Sequence, residues 1–280
     1  MTTLYISDLD GTLLHDNQQV SPFSASVINR AVDRGLLFSL ATARSLIGIG
    51  MLDFSSLHLN TPLVLMNGAM LYDMASQTIL QSCDMPPDAV AAVLTACAAE
   101  GKNPFLYRVE EGRLHAYFTE LTSEGERVFL AKRGARFPEC FRQQQAYGEG
   151  AAVYFSLQDK YERLARIRER LAALPGIAST LYKDNYMEDN WYLEIFSADA
   201  GKDKGARRLQ ARIGADRLVA FGDNSNDLPL FAAADVACCV ASGRPDARAA
   251  ADVIVAGNND DGVARYLAAL PEMGMDEAVR

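Results

Sequence analysis

Short apolar runs that stop abruptly at polar residues set the pattern of the first third of the chain. Leu4 to Ser7 ends at Asp8-Leu9-Asp10-Gly11-Thr12, Leu36 to Ala41 at Thr42-Ala43-Arg44-Ser45, and Pro62 to Met66 at Asn67-Gly68. Unbroken runs of this length describe strands buried on both faces, and the polar tips mark where each strand leaves the core. Between the first two runs, Ser21-Pro22 supplies an N-cap and a proline for the first helical turn, and Gly35 closes the segment. This predicts a helix. Strand, polar tip and helix in alternation predict an α/β fold: a doubly wound, mainly parallel sheet that gathers ligands at the carboxyl ends of its strands.

After Cys83 the pattern changes. Asp84-Met85-Pro86-Pro87 reads as a linker, and Asn103 to Val109 and Arg113 to Phe118 flank a Glu110-Glu111-Gly112 turn as in a hairpin. Leu164, Ile167, Leu171 and Leu174 recur at spacings of three and four in Lys160 to Leu174, an amphipathic helix suited to lie on a small sheet. The earlier alternation resumes after Ser197, with a helix from about Lys204 and apolar strands at Leu218 to Phe221, Val236 to Val240 and Val253 to Val255. The expected organisation is a core of residues 1–83 and 199–280 with an α/β cap, residues 84–198, inserted into it. The tail from Pro271 to Arg280 lacks periodicity and is expected to be loosely ordered.

A chain that is 49% hydrophobic and 22% charged has the material for a packed core and not the composition of a disordered protein. Its net charge of −9 argues against binding nucleic acid, which relies on cations to displace counterions from phosphates. No apolar run approaches the roughly 20 residues that cross a bilayer, and the start of the chain lacks the features of a signal peptide. The expectation is a cytoplasmic protein with no membrane partner. The five cysteines have no zinc-site spacing and are expected to be reduced, with Cys238 and Cys239 in a buried strand. His15, His58 and His115 are scattered singly, which favours surface or core roles over metal binding.

The chemistry should therefore lie at the strand tips. Asp8 and Asp10, two apart at the end of a strand, can share the work of attack on phosphorus and proton transfer to and from the leaving oxygen. A carboxylate approaching a phosphate dianion needs fixed positive charge nearby. Gly222-Asp223-Asn224-Ser225-Asn226-Asp227 places Asp223 and Asp227 at another tip, and with Asp8 these hard oxygen donors suit magnesium. Lys204, followed by Gly205 and a helix, is preferred over Lys202 as the lysine that reaches the same phosphate, and Arg44 is a weaker candidate that could equally form a structural salt bridge.

Asp8-Leu9-Asp10-Gly11-Thr12, Thr42, Lys204-Gly205 and Gly222 to Asp227 occur in the order of the four signature motifs of the haloacid dehalogenase superfamily, which the chain resembles over nearly its whole length. The insertion between the second and third motifs, and Asn67-Gly68-Ala69 before it, resemble the Cof-type class IIB phosphatases. The resemblance implies a magnesium-dependent phosphatase acting on a small phosphorylated metabolite, a sugar phosphate or a phosphorylated cofactor. It further implies that Asp8 is the nucleophile, that Asp10 is the general acid and base, and that Asp8, Asp223 and the backbone carbonyl of Asp10 bind the metal. Thr42, Lys204 and Asn226, with the backbone amides of Leu9 and Ala43, would hold the phosphoryl oxygens, and Asp227 would support the metal or the lysine. Substrate selection would fall to the cap. Ser7 before the nucleophile, Ala43 and the Ala241-Ser242-Gly243-Arg244 segment depart from the family pattern without removing a reacting group. Two rival readings stay open: a phosphotransferase or mutase using the same aspartyl phosphate, and a phosphometabolite sensor that binds without turnover.

Overall fold

The first apolar run forms β1 (Thr3–Ser7), and the helix begun by Ser21 and Pro22 is α1 (Pro22–Asp33), with the Ser21 hydroxyl accepting from the Ser24 amide at 2.9 Å. A computed structural model describes residues 1–184 and 187–271; the tail expected to be loosely ordered lies, from Glu272 on, outside the described residues. The chain continues through β2 (Leu37–Leu40), α2 (Leu46–Gly50), β3 (Leu63–Leu65), β4 (Met70–Asp73) and β5 (Thr78–Ser82). It then enters α3 (Pro87–Ala98), β6 (Phe105–Glu110), β7 (Arg113–Phe118), α4 (Glu124–Gly134), β8 (Phe141–Gln143), β9 (Tyr154–Asp159), α5 (Tyr161–Leu171), β10 (Ile177–Lys183) and β11 (Trp191–Ser197). The remainder is α6 (Lys202–Ile213), β12 (Arg217–Gly222), α7 (Leu228–Ala233), β13 (Val236–Val240), α8 (Pro245–Ala250), β14 (Val253–Val255) and α9 (Gly262–Ala268).

Two compact units result. One comprises Met1–Ser45, Ile49–Leu80 and the chain from Gly201 onward, and the other comprises Leu46–Gly48 and Gln81–Ala200. The first is built on a parallel sheet of order β14-β13-β12-β1-β2, which a bridge between Ala41 and Val64 extends towards β3. Leu4 and Ile6 of β1 and Leu218 and Ala220 of β12 pack against Ala206 and Leu209 of α6 and Leu230 and Phe231 of α7. On the opposite face, Tyr266 of α9 meets Phe221 edge-on at 5.2 Å. The chain steps outward from β1 through β2 on one side and later fills the other side from β12. The order therefore reverses between β1 and β12, which is where an open α/β sheet leaves a crevice for ligand.

The second unit is a sheet of order β10-β11-β9-β6-β7-β8, antiparallel except for β7 and β8. Val90, Val93 and Cys97 of α3 and Leu164, Ile167 and Leu171 of α5 bury one face against Leu106, Phe155, Leu157, Leu193 and Ile195. Residues 84–87, read from sequence as a linker at the start of the inserted segment, are packed into this unit. Met85 is fully buried and exchanges backbone hydrogen bonds with Ala152, and Pro86 and Pro87 start α3. Proline in a first helical turn, rather than in a loose connection, accounts for the composition there.

Lys102 is a buried charge in this unit. Its ammonium lies 2.6 Å from Glu126 Oε1 and 3.2 Å from Asp159 Oδ2, and donates to the Gln158 carbonyl at 3.2 Å. Removing one member of such a buried set strands the others without solvent. Lys102→Ala should therefore destabilise the protein by about 3–5 kcal/mol in urea unfolding, and a loss under about 1 kcal/mol would show that the two acids had found other partners.

Candidate active site

Adjacent parallel strands bring the two polar tips together. Ser7 is in register with Phe221, and the Asp8 amide donates to the Phe221 carbonyl at 2.9 Å. Beyond β1 the chain makes one wide turn, closed by the Leu14 amide on the Leu9 carbonyl at 2.9 Å. Gly11 sits in that turn at φ +80°, and a Cβ there would stand 2.7 Å from Asp223 Oδ2. Glycine permits both the left-handed backbone and the close approach. Thr12 Oγ1 then donates to Asp223 Oδ1 at 3.0 Å.

One carboxylate oxygen from each of Asp8, Asp223 and Asp227 falls within 4.8 Å of the others. Asp227 is fully buried: its Oδ2 accepts the amides of Asp223 and Asn224, both at 3.1 Å, and its Oδ1 takes the Lys202 ammonium at 2.6 Å. The same ammonium is 2.6 Å from Asp8 Oδ1. Burial pushes the Asp8 carboxyl well above the usual carboxylate range, Lys202 opposes that rise, and Asp227 and Asp223 add to it. Asp223 is raised as well, by burial first and then by Asp227. Burial alone would lower Lys202, yet Asp227 and Asp8 together hold it above its ordinary value. One cation thus serves three acids, and the surplus negative charge is what a divalent cation would neutralise. Hard carboxylate oxygens suit magnesium. Asp8 and Asp223 are the side chains placed to hold it, since both oxygens of Asp227 are already engaged.

The lysine assignment changes. Helix α6 begins at Lys202, not Lys204, and buries Lys202, Gly205, Ala206, Leu209 and Gln210 along one face. Lys204 lies off that face and is exposed, so the ammonium at Asp8 belongs to Lys202. Helical spacing carried this information, because Lys202 stands three, four and seven residues before Gly205, Ala206 and Leu209.

The other candidates distribute as follows. Thr42 is buried, and its hydroxyl accepts the Arg44 amide at 3.1 Å; Ala43 is half-buried beside it. Leu9 is buried in the wide turn, and Asn226 follows β12 with a buried Oδ1 that has no hydrogen-bond partner. Asn67 is buried at φ 51° and donates its amide to the Thr42 carbonyl. Asp10 is half exposed, and Arg44 grips it with two bonds, Nε to Oδ2 at 2.7 Å and Nη2 to Oδ1 at 2.6 Å. Arg44, held outside the catalytic set on sequence grounds, is thus the direct partner of Asp10. The Ala241–Arg244 segment backs the cluster, with the Arg244 amide donating to the Asp223 carbonyl at 2.7 Å.

Comparison with known proteins follows the same lines. The family model for haloacid dehalogenase-like hydrolases matches residues 5–267. The pyridoxal phosphate phosphatase YbhA of Escherichia coli is 25% identical over 278 residues, covering 95% of this chain and 98% of its own. A haloacid dehalogenase-like hydrolase from Bacteroides thetaiotaomicron superimposes with a TM-score of 0.75 at 19% identity, covering 95% of this chain and 98% of its own. A sugar phosphatase of subclass IIB does so with a TM-score of 0.67 at 18% identity, with 95% and 98% covered.

A cation that binds only the folded cluster must stabilise the fold by mass action. Millimolar magnesium should raise the thermal midpoint, and Asp223→Asn should reduce or remove that rise. An unchanged midpoint in the unaltered protein, together with no heat of binding in calorimetry, would count against a magnesium site.

Proposed function

This chain belongs to the haloacid dehalogenase-like hydrolases, and from that premise we propose that it is a Cof-type, magnesium-dependent phosphatase that hydrolyses a small phosphorylated metabolite through an aspartyl phosphate on Asp8. The observation that carries the reading is the Asp8–Lys202–Asp227 arrangement beside Asp223, a buried carboxylate kept ready by a fixed ammonium in a cluster suited to a divalent cation. Magnesium, when bound, would offset the charge of the phosphoryl oxygens. In the first step an Asp8 oxygen forms a bond to phosphorus, the bond from phosphorus to the ester oxygen breaks, and Asp10 gives that oxygen a proton. In the second, Asp10 takes a proton from water as its oxygen attacks phosphorus, which frees Asp8 and releases phosphate.

Lys202, Thr42 and Asn226 would bind the phosphoryl oxygens, joined by the backbone amides of Leu9 and Ala43. Asn226 would do so through its side-chain amide nitrogen, because its Oδ1 is an acceptor and does not bind an anionic oxygen. Asp227 would orient Lys202 and the Asp223–Asn224 backbone and not bind the metal directly. The names of the relatives favour a phosphorylated cofactor or a sugar phosphate as substrate, since one acts on pyridoxal phosphate and another is a sugar phosphatase. The Lys202 and Asp8 pair favours phosphorus chemistry over simple binding, because a sensor has no need of a buried nucleophile beside a general acid and base.

Two measurements test this. Phosphate release should appear with magnesium and vanish with chelator across a panel of sugar phosphates, pyridoxal 5′-phosphate, flavin mononucleotide and an aryl phosphate. Product that depends on an added acceptor would point to a phosphotransferase, and binding without release to a sensor. Among variants, Asp8→Asn should lower kcat by roughly 1,000-fold or more, and Lys202→Met by roughly 100-fold or more. Lys204→Met should stay within about twofold, as for surface changes generally. A larger loss at Lys204 than at Lys202 would reverse the lysine assignment.

A further inference from the structure

The segment after the wide turn is held at both ends. The Gln18 amide donates to the His15 carbonyl at 2.9 Å and the His15 amide to the Gln19 carbonyl at 3.1 Å, with Gln18 in the left-handed region at φ 62°. From the far end of the chain, Asn259 exchanges two hydrogen bonds with Asp16, at 3.0 and 2.8 Å, and Asn258 Nδ2 donates to Asp16 Oδ1 and to the Leu14 carbonyl, both at 3.1 Å. Asp261 Oδ1 lies 2.9 Å from His15 Nε2 and accepts the Ser21 hydroxyl at 2.5 Å. What this fixed turn offers the site is Gln18 Oε1, which accepts from Arg44 Nη2 at 3.1 Å. Arg44 is pinned along its backbone too, its amide on Thr42 Oγ1 and its carbonyl accepting from the Met66 amide at 3.0 Å.

We infer that Gln18 is a positioning residue: through Arg44 it fixes the orientation of the Asp10 carboxylate, and this rests on the reading of Asp10 as general acid and base. A bidentate pair sets the guanidinium and the carboxylate relative to each other, but the pair can still swing as a unit about their flexible stems. An acceptor on Nη2, presented by a tethered turn, removes that freedom. The backbone supports this assignment. A left-handed conformation is one that glycine adopts without penalty, and the position keeps a long side chain whose oxygen is placed on Arg44.

Gln18→Met removes the acceptor, Gln18→Glu keeps one, and Gln18→Gly removes it while easing the backbone. With an alkyl phosphate, whose leaving oxygen needs the Asp10 proton, the Met and Gly variants should lose about tenfold in kcat with KM within about twofold, and Glu should retain activity. Gln18→Gly should keep or raise the thermal midpoint, a result opposite to that of a side chain needed only to hold the turn. In an Arg44→Ala background, Gln18→Met should add nothing further. Equal losses in both backgrounds, an unchanged or increased kcat in Gln18→Met, or loss of activity in Gln18→Gly only in step with a lowered midpoint would each overturn the inference. Absence of turnover in the unaltered protein would sink the phosphatase reading by itself. The clamp is then read by nitrogen-15 NMR, where Gln18→Met should speed rotation of the Arg44 guanidinium, and an unchanged rate would overturn it.

Discussion

The architecture of the site depends on one ammonium. Parallel neighbours β1 and β12 deliver three carboxylates to a single point, and like charges about 4 Å apart repel by about 4 kcal/mol per pair even at an effective dielectric of about 20. Lys202, 2.6 Å from both Asp8 and Asp227, is the cation inside the protein that makes this assembly tolerable. Its position in turn depends on where α6 begins. Gly205 brings the helix so close to the turn after β3 that a Cβ would lie 2.4 Å from Val64 and 2.9 Å from the Gly68 Cα, while a Cβ on Gly68 would lie 1.9 Å from the Gly201 carbonyl. Two missing side chains let helix and turn touch, and that contact places the N-terminal turn of α6, with its lysine and the positive end of its dipole, against Asp8.

Burial of a lysine does not by itself mark function, as Lys102 shows. Among the described residues, each unit has one lysine ammonium in contact with two acids, but the balance of charge differs. Around Lys102, Glu126 and Asp159 are matched by Lys102 and by Arg163, which reaches Asp159 at 3.0 Å. That set is neutral and hydrogen-bonded, Glu126 also closing a capping box with Ser123 at the start of α4. Around Lys202, three acids face one ammonium, and the deficit remains. A closed set serves the fold, whereas an open one invites a cation and an electrophile, so the two lysines can be told apart by the balance of charge around them and not by their depth.

Most of the frame was legible because buried strands and amphipathic helices leave periodic traces. The tips after Ser7 and Phe221, α1 with its Ser21-Pro22 start, the hairpin of β6 and β7 and the apolar stripe of α5 all follow from local pattern. The convergence of Asp8, Asp223 and Asp227 was legible too, since strand tips of a parallel sheet share one edge. The glycine beside Lys204 points to the wrong lysine, whereas the register of the helical face assigns the inward position to Lys202. The local pattern of residues 84–87 is ambiguous, because a proline pair signals a break in general and a helix start in particular, and the Met85 bridge to Ala152 decides between them. The grip of Arg44 on Asp10 spans 34 positions and leaves no local trace at all.

Of the seven described non-glycine residues with positive φ, a state that disfavours a side chain by roughly 1–2 kcal/mol, four lie around the site: Gln18, Met66, Asn67 and Asp261. Their bonds converge on the same few atoms: Asp261 on the turn that bears Gln18, Gln18 on Arg44, Met66 on the Arg44 carbonyl and Asn67 on the Thr42 carbonyl. Glycine would relieve the strain at each position, and at 18 and 261 it would also delete the oxygen that makes the contact. Around the half-exposed Asp10 carboxylate the contacts supply a reason for the strain, because strained but fully bonded turns restrict motion there.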